Sequence, residues 1–196
     1  MPAAVRYTCR MTYKTHLSTG MLFSSIVFLL IYGINLSPAL VSTLILSTWL
    51  GSSTPDLDIP TGGLWQKVPA GSFIGKIIHP VFIGGHRHIS HSLIGMGIFV
   101  WLFWMLLAWL AIYFPTLNVH FLLLAFVIGY SAHLFADLFT EVGVPLLFPI
   151  DYHFGIPPDP FGKIRIKTGK WFENLIIYPA VNFALLLIIL RYLEVI

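Results

Sequence analysis

Three histidines, an arginine and two serines lie within eight residues of the chain, in the segment 85–92. The imidazoles belong to His86, His88 and His91. Neutral imidazole is a common metal ligand because one ring nitrogen binds the ion while the other contacts a second protein group. If the segment turned into a helix, His88 and His91 would lie on one face. On its own the cluster is equally consistent with a polar loop at a membrane surface, so its meaning depends on the other polar residues.

Further imidazoles and carboxylates lie at the ends of apolar segments elsewhere in the chain. They are His16, Asp56, Asp58, His133, Asp137 and Glu173. His133 and Asp137 are four residues apart, which puts them on one face of a helix. Ionisable groups inside a membrane are costly, and they usually face a cavity or one another. Metal ions shared among these groups would offset that cost.

The composition identifies a membrane protein. Of the 196 residues, 57% are hydrophobic and 10% are charged, whereas soluble domains carry about 25% charged residues. The net charge of +3 is small, and we predict no nucleic-acid partner. The single cysteine, Cys9, excludes an intramolecular disulfide and a thiolate metal site. The first apolar segment lacks a small-residue cleavage pattern, so we interpret it as a retained helix.

The apolar pattern predicts an all-α integral membrane bundle of about five transmembrane helices. Their expected ranges are about 15–33, 38–51, 90–114, 119–141 and 171–193. The second helix is short for a full span and rich in hydroxylated residues, which favour close packing, so we expect it in the interior. Residues 61–85 contain tryptophan and lysine and are typical of an interfacial segment between the second and third helices. Residues 1–14 form a basic tail, in which Met11 is a plausible alternative start, and residues 15–196 form a single transmembrane domain.

The positions of the basic residues predict the orientation. Lysine and arginine in short loops favour the cytoplasmic side of a membrane. The tail, the 52–89 loop and the 142–172 loop contain ten of the eleven basic residues, and the turns at 34–38 and 115–118 contain none. Five spans with a cytoplasmic N-terminus satisfy every loop. This arrangement would bring the imidazoles and carboxylates of all five helices to the cytoplasmic face of the membrane.

The predicted ligands offer nitrogen and carboxylate oxygen but no sulfur. They are His16, Asp56, Asp58, His86, His91, His133, Asp137 and Glu173. Such donors suit catalytic zinc, with manganese or iron as alternatives. Eight ligands exceed one tetrahedral site, so we expect two divalent ions, an arrangement that hydrolyses phosphoesters through a metal-bound hydroxide. Glu173 or Asp58 is the candidate general base, and Arg87 and Ser92 are candidates for binding an anionic substrate oxygen.

With these residues in place, the chain resembles the YdjM-like family of bacterial inner-membrane predicted metal-dependent hydrolases, also described as LexA-regulated or LexA-binding. The matching segments are residues 15–17, 55–58, 86–87, 90–92, 133–137 and 143–149, followed by Gly169 and Glu173. The resemblance implies a metallohydrolase embedded in the inner membrane. A site at membrane depth favours a lipid or lipid-linked phosphoester as substrate. The family usually has a small residue where His88 stands, so His86 and His91 are the stronger candidate ligands.

Each candidate also has a simpler interpretation. His16 could lie at the lipid headgroups, Asp56 and Asp58 could form an ordinary turn, and Glu173 could favour a helix N-terminus. His133 and Asp137 could satisfy only each other. We assign no site role to His79, His120, His153, Asp151 or Asp159. Two rival functions therefore stay open: a metal transporter or metal-binding regulator, and a non-catalytic membrane protein that binds a partner.

Overall fold

The structure is a computed structural model that describes residues 12–33, 37–60, 62–79, 87–150 and 152–195. Within these residues the regular elements are all helical. Two isolated β-bridges, Thr140 with Ile166 and Val144 with Phe154, are the only strand-like pairings in this part of the chain. The prediction of an all-α fold is confirmed.

The helices begin and end close to the predicted boundaries. They are α1 (Tyr13–Ser25), α2 (Pro38–Ser53), α3 (Gly71–Ile78), α4 (Leu93–Tyr113), α5 (Val119–Leu138) and α6 (Tyr178–Tyr192). Turns of π-helix at Ile26–Ile31 and Glu173–Ile177 extend α1 and precede α6, and 3-10 helices cover Pro55–Asp58, Ile89–His91 and Phe161–Ile164. The side chains of Ser37, Ser92 and Asn118 cap α2, α4 and α5 by accepting a backbone N–H from the first turn.

Among the described residues, four helical segments are long and apolar enough to cross a membrane. They are Tyr13–Ile31, Leu93–Tyr113, Val119–Leu138 and Glu173–Tyr192. The predicted fifth span, α2, has 16 residues, which is about 24 Å of helix against a hydrocarbon core of about 30 Å. The structure therefore supports a multi-pass membrane bundle, and the fifth crossing stays a prediction.

The second half of the short helix α2 is buried, with Ser47, Thr48 and Ser52 among its buried residues. Its first half is more exposed, and Ile45 and Leu46 are 51% and 53% exposed, so the interior position predicted for α2 holds for its second half.

Helix α2 runs antiparallel to α1, because Ser24 Oγ and Thr48 Oγ1 are 2.7 Å apart and Phe28 shares a buried cluster with Leu44. It also packs tightly against α5. A Cβ at Gly129 would collide with the backbone carbonyl oxygen of Thr48, so the absence of a side chain at this position allows the two helices to meet.

Helices α3, α4 and α6 present apolar side chains to the surroundings, and no residue of α6 is buried. On α4, Trp101, Trp104 and Trp109 are each about half exposed, as expected for contact with lipid. Helix α3 exposes Phe73 and Ile77. Its position between α2 and α4 and its exposed apolar face fit the predicted interfacial segment.

The segment after α5 folds back over the end of the bundle that carries the polar residues. Its backbone is tied to α5 by hydrogen bonds from Ile156 N–H to the Leu138 carbonyl, 2.7 Å, and from Ile166 N–H to the Phe139 carbonyl, 2.8 Å. It is also tied to α4, because Leu93 N–H donates to the Leu146 carbonyl. Helices α1, α4 and α6 begin at this end of the bundle, and α2 and α5 end there.

Candidate metal centre

Five of the predicted ligands meet at this end of the bundle. His16 comes from the first turn of α1, Asp56 from the 3-10 helix after α2, and His91 from the 3-10 helix before α4, while His133 and Asp137 come from the last two turns of α5. Two groups of potential metal ligands have donor atoms within 4.8 Å of one another. The groups are His16, His133 and Asp137, and Asp56, His91 and His133.

The carboxylate of Asp137 lies at the centre of the cluster. Its Oδ2 atom is 3.4 Å from Nε2 of His91 and 3.7 Å from Nε2 of His133. Its Oδ1 atom is 3.5 Å from Nε2 of His16. The side chain of Asp137 is 1% exposed, so this charge is removed from solvent and depends on its neighbours for compensation.

The carboxylate of Asp56 closes the other side of the cluster. Its Oδ1 atom lies 3.9 Å from Nε2 of His91 and 3.9 Å from Nε2 of His133. Its side chain is 15% exposed, whereas those of His91 and His133 are fully buried. Asp56 is therefore the most exposed of these three side chains.

The contacts of His133 determine which ring nitrogen faces the cluster. Its Nδ1 atom is 2.7 Å from the backbone carbonyl oxygen of Ser52. A carbonyl oxygen can only accept a hydrogen bond, so in the neutral ring Nδ1 carries the proton. The Nε2 atom of His133 then presents a lone pair to Asp56 and Asp137.

Ser90 and Asp58 determine in the same way which ring nitrogen of His91 faces the cluster. Ser90 Oγ is 3.0 Å from Asp58 Oδ2 and 3.1 Å from Nδ1 of His91. A carboxylate only accepts, so the Ser90 hydroxyl donates to Asp58 and accepts from Nδ1–H of His91. Burial lowers the pKa of His91 below its ordinary value, against the opposing effect of Asp137 and Asp58, and thus favours the neutral ring. Nε2 of His91 then also presents a lone pair to Asp56 and Asp137.

The cluster thus places imidazole lone pairs opposite carboxylate oxygens in a buried space. Acceptors facing one another at 3.4–3.9 Å repel, and a divalent cation between them would convert each into a ligand. Nitrogen and oxygen donors without sulfur suit zinc, manganese or iron. The residues present therefore fit a divalent metal.

Arg87 holds the central carboxylate in place. One terminal nitrogen of its guanidinium donates to Asp137 Oδ1 at 2.7 Å, and the other donates to Thr140 Oγ1 at 2.8 Å and to the Gly143 carbonyl at 3.1 Å. Its backbone N–H donates to Asp58 Oδ2, and its φ of 60° is the left-handed conformation, which costs energy in a residue with a side chain. An anionic substrate oxygen, the predicted partner of Arg87, would have to share the guanidinium with these acceptors.

Glu173 lies outside both ligand groups found in the described residues. Its Oε1 atom accepts hydrogen bonds from the backbone and hydroxyl of Thr12 and from the hydroxyl of Thr15, at 2.6–2.7 Å. Its Oε2 atom accepts from Gly169 N–H at 2.6 Å. These contacts join the start of α1 to the segment before α6. They give Glu173 a structural role and leave its predicted roles as ligand or base without a supporting contact.

The remaining predicted residues take supporting positions or lie outside the described residues. Asp58 acts on His91 through Ser90 and belongs to neither ligand group. The Ser92 hydroxyl donates to the Ile89 carbonyl and accepts from Gly95 N–H, so both of its functions serve the start of α4. His88 packs edge-on against Phe148 and is not in the ligand groups of the described chain. His86 and Asp151 fall outside the described residues.

Sequence reasoning assigned no role to several residues that position the ligands. Besides Ser90, they include Ser52, Thr140 and Tyr130, whose hydroxyl donates to the Ser90 carbonyl. The sequence offers one signal, because Ser90 directly precedes the candidate ligand His91. Tyr130 carried no such signal because it lies within an apolar helix.

Comparison with known proteins gives the family. Residues 11–194 match the family described as YdjM inner membrane protein. The "Uncharacterized protein YvsG" of Bacillus subtilis is 29% identical over 167 residues, which is 85% of this chain and 88% of that protein. The "Inner membrane protein YdjM" of Escherichia coli is 32% identical over 105 residues, which is 53% of this chain and 47% of that protein, and the protein of the same name from Shigella flexneri matches equally.

No solved structure matches the chain. The match to the YdjM proteins spans about half of their length, whereas the family match spans nearly the whole of this chain. With its apolar helices, this makes the protein a multi-pass inner membrane protein, in contact with membrane lipids. The chain belongs to the YdjM inner membrane protein family.

Proposed function

We propose that the protein is a membrane-embedded metal-dependent hydrolase that acts on a lipid or phosphoester substrate. The single observation that carries this proposal is the cluster in which Nε2 of His91 and of His133 face the carboxylates of Asp56 and Asp137. Such a buried set of acceptors is stable only with a cation or additional protons among them. Burial favours the neutral form of His91, which supports a cation.

We propose two divalent ions, with zinc first and manganese or iron as alternatives. His133 offers only Nε2, because Nδ1 donates to Ser52. Asp137 directs Oδ1 to His16 and Oδ2 to His91 and His133. Asp137 and His16 would contribute to holding one ion, and His91, His133 and Asp56 would hold the other. A divalent metal in such a site supplies Lewis acidity, which acidifies water and polarises a substrate oxygen.

The protein's own groups orient the ligands and offset charge. Arg87 neutralises part of the charge on Asp137. Asp58, acting through Ser90, holds His91 with Nε2 toward the cluster. We propose Asp58 in preference to Glu173 as the general base, because Asp58 accepts a hydrogen bond from Ser90, which contacts His91, whereas the described contacts of Glu173 join it to Thr12, Thr15 and Gly169.

The location of the cluster supports a substrate at the membrane surface. The ligands lie at the ends of helices that are long and apolar enough to cross the bilayer, and the most exposed of them, Asp56, follows the end of α2. The basic loops at this end favour the cytoplasmic side. A lipid or lipid-linked phosphoester would reach this depth with its headgroup near Asp56.

The experiment is metal content per chain, measured by elemental mass spectrometry on detergent-purified protein. We expect about two transition-metal ions per wild-type chain and their loss in Asp137→Asn, which keeps the size of the side chain. Asp159→Asn is the matched control, because Asp159 is 76% exposed and pairs with Arg165. Wild-type protein would then be assayed against phospholipids and lipid-linked phosphates with and without a chelator. Absence of metal after reconstitution with zinc and manganese would refute the proposal and favour the partner-binding alternative.

A further inference from the structure

A cationic cleft lies in the segment that leads into α6. It has a volume of about 500 Å³, and its lining includes Lys163, Ile164, Lys167, Lys170, Trp171 and Phe172. We call it the lysine cleft. It contains none of the candidate metal ligands, and its chemistry is different: cations and exposed apolar groups take the place of imidazole and carboxylate.

The three lysines supply positive charge that is exposed to the surroundings and contributes little to the stability of the fold. Lys163, Lys167 and Lys170 are all exposed. Glu141 approaches Lys167 at 3.8 Å, but that lysine side chain is 64% exposed, and such a pair contributes little. The neighbouring Arg165 is different. It is buried, donates to the Pro157 carbonyl at 2.7 Å and pairs with Asp159, so it serves the fold.

The apolar members of the cleft place it at the depth of lipid headgroups. Ile164 is 76% exposed, Trp171 68% and Phe172 40%. Trp171 and Phe172 directly precede the membrane-crossing segment Glu173–Tyr192, and aromatic residues at such a position lie at the membrane–water interface. At the same end of the bundle, Lys14 lies over the ring of Tyr178 at 4.6 Å, which adds a fourth cation there.

We propose that the lysine cleft binds the headgroup of an anionic phospholipid, with the phosphate between the lysines and the acyl chains beside Ile164 and Trp171. A soluble phosphate would use the lysines but would leave these apolar side chains in water. An anionic lipid satisfies both sets of groups. Basic segments next to membrane helices generally attract acidic lipids, and the three lysines form such a segment.

The cleft is connected to the candidate metal centre but does not depend on it. Ile166, which also lines the cleft, bridges to Thr140, and Thr140 accepts a hydrogen bond from Arg87. An anionic lipid held in the cleft would therefore stand beside the metal centre. Its binding follows from the lysines and aromatic residues alone, whether or not the chain hydrolyses a lipid.

The test uses the full chain in nanodiscs of phosphatidylcholine with a minor fraction of phosphatidylglycerol. Trp171 is the fluorescent probe, and its emission is obtained as the difference between the tryptophan fluorescence of the wild-type protein and that of Trp171→Phe. Brominated acyl chains, which quench tryptophan, are placed either on the phosphatidylglycerol or on an equal fraction of the phosphatidylcholine. We expect stronger quenching by the anionic lipid, with the preference falling about fivefold for each lysine lost.

Three variants separate the effect of charge from an effect on the fold. The triple change Lys163→Gln, Lys167→Gln and Lys170→Gln should abolish the preference, and the corresponding lysine-to-arginine triple should keep it. Removing two lysines elsewhere, with Lys67→Gln and Lys76→Gln, should also leave it unchanged. Equal quenching by the two lipids in wild type would overturn the proposal. So would loss of the preference on adding soluble glycerophosphate at constant ionic strength, because it would identify a soluble anion as the ligand.

Discussion

Replacing Ser90 with alanine tests whether its hydroxyl orients the ring of His91 in the candidate metal centre. In the wild-type protein, Ser90 accepts from Nδ1–H of His91 at 3.1 Å and donates to Asp58 at 3.0 Å. The alanine leaves a buried N–H without this acceptor, and Asp58 keeps the backbone N–H of Arg87. The backbone carbonyl of residue 90 still accepts from Tyr130, so the 3-10 helix stays anchored.

The expected loss of metal affinity follows from the hydrogen bond between Ser90 and the candidate ligand His91. Loss of such a partner typically weakens metal binding about 10–100-fold, which is about 1.4–2.8 kcal/mol. The assay is competition for zinc between the detergent-purified protein and a chromogenic chelator. Because the ring of His91 loses its fixed orientation, we expect a faster loss of metal as well as a weaker equilibrium affinity.

Ser92→Ala is the control for this experiment. Ser92 is two residues away and equally buried, but its hydroxyl caps α4. Its removal should lower stability by about 1 kcal/mol and leave the affinity for zinc unchanged. If Ser90→Ala bound zinc as tightly as wild type, or if the two variants lost affinity equally, Ser90 would have no specific role in orienting His91.

Two further changes test the buried charges. Arg87→Met leaves the buried carboxylate of Asp137 without its guanidinium partner, and we expect the metal-free protein to lose about 3–5 kcal/mol of stability. The loss would be measured as a lower thermal unfolding temperature in detergent, which added zinc should partly restore. An unchanged unfolding temperature would contradict the pairing of Arg87 with Asp137. Glu173→Gln weakens the charge-assisted bonds from Thr12, Thr15 and Gly169, and we expect about 1.5–3 kcal/mol of destabilisation with the metal content per chain unchanged. A loss of metal in the Glu173 variant would instead assign that carboxylate to the ligands.

The all-helical fold was predictable from the sequence because long apolar segments identify membrane helices. The boundaries differ where a side chain competes with the helix. Helix α5 ends at Leu138, three residues before the predicted end, because the hydroxyl and N–H of Thr140 both donate to the Asp137 carbonyl. Helix α4 begins at Leu93 because Ser92 caps it. Helix α2 was predicted as a fifth span, but its 16 residues are short for a full crossing.

The clustering of the imidazoles and carboxylates was predictable from the sequence, and their hydrogen-bond partners were not. Imidazoles and carboxylates near helix ends indicated a cluster, and five of the eight predicted ligands meet there. Spacing along the chain does not reveal hydrogen-bond donors contributed by distant segments. Glu173 illustrates this: it was proposed as a ligand, yet its partners Thr12 and Thr15 lie about 160 residues away in the chain. Arg87 likewise serves a ligand through a contact that sequence order does not indicate.

The order in which the cluster's residues are synthesised restricts when the proposed metal ions could be bound. His16, Asp56 and His91 emerge from the ribosome before α5, and the central carboxylate, Asp137, is on the last turn of that helix. A nascent chain that ends before α5 lacks both His133 and Asp137, and the ring of His16 lacks the ring on which it stacks at 3.8 Å. Metal would therefore be acquired only after α5 has entered the bilayer, which makes insertion of α5 the step at which the assembled site first exists.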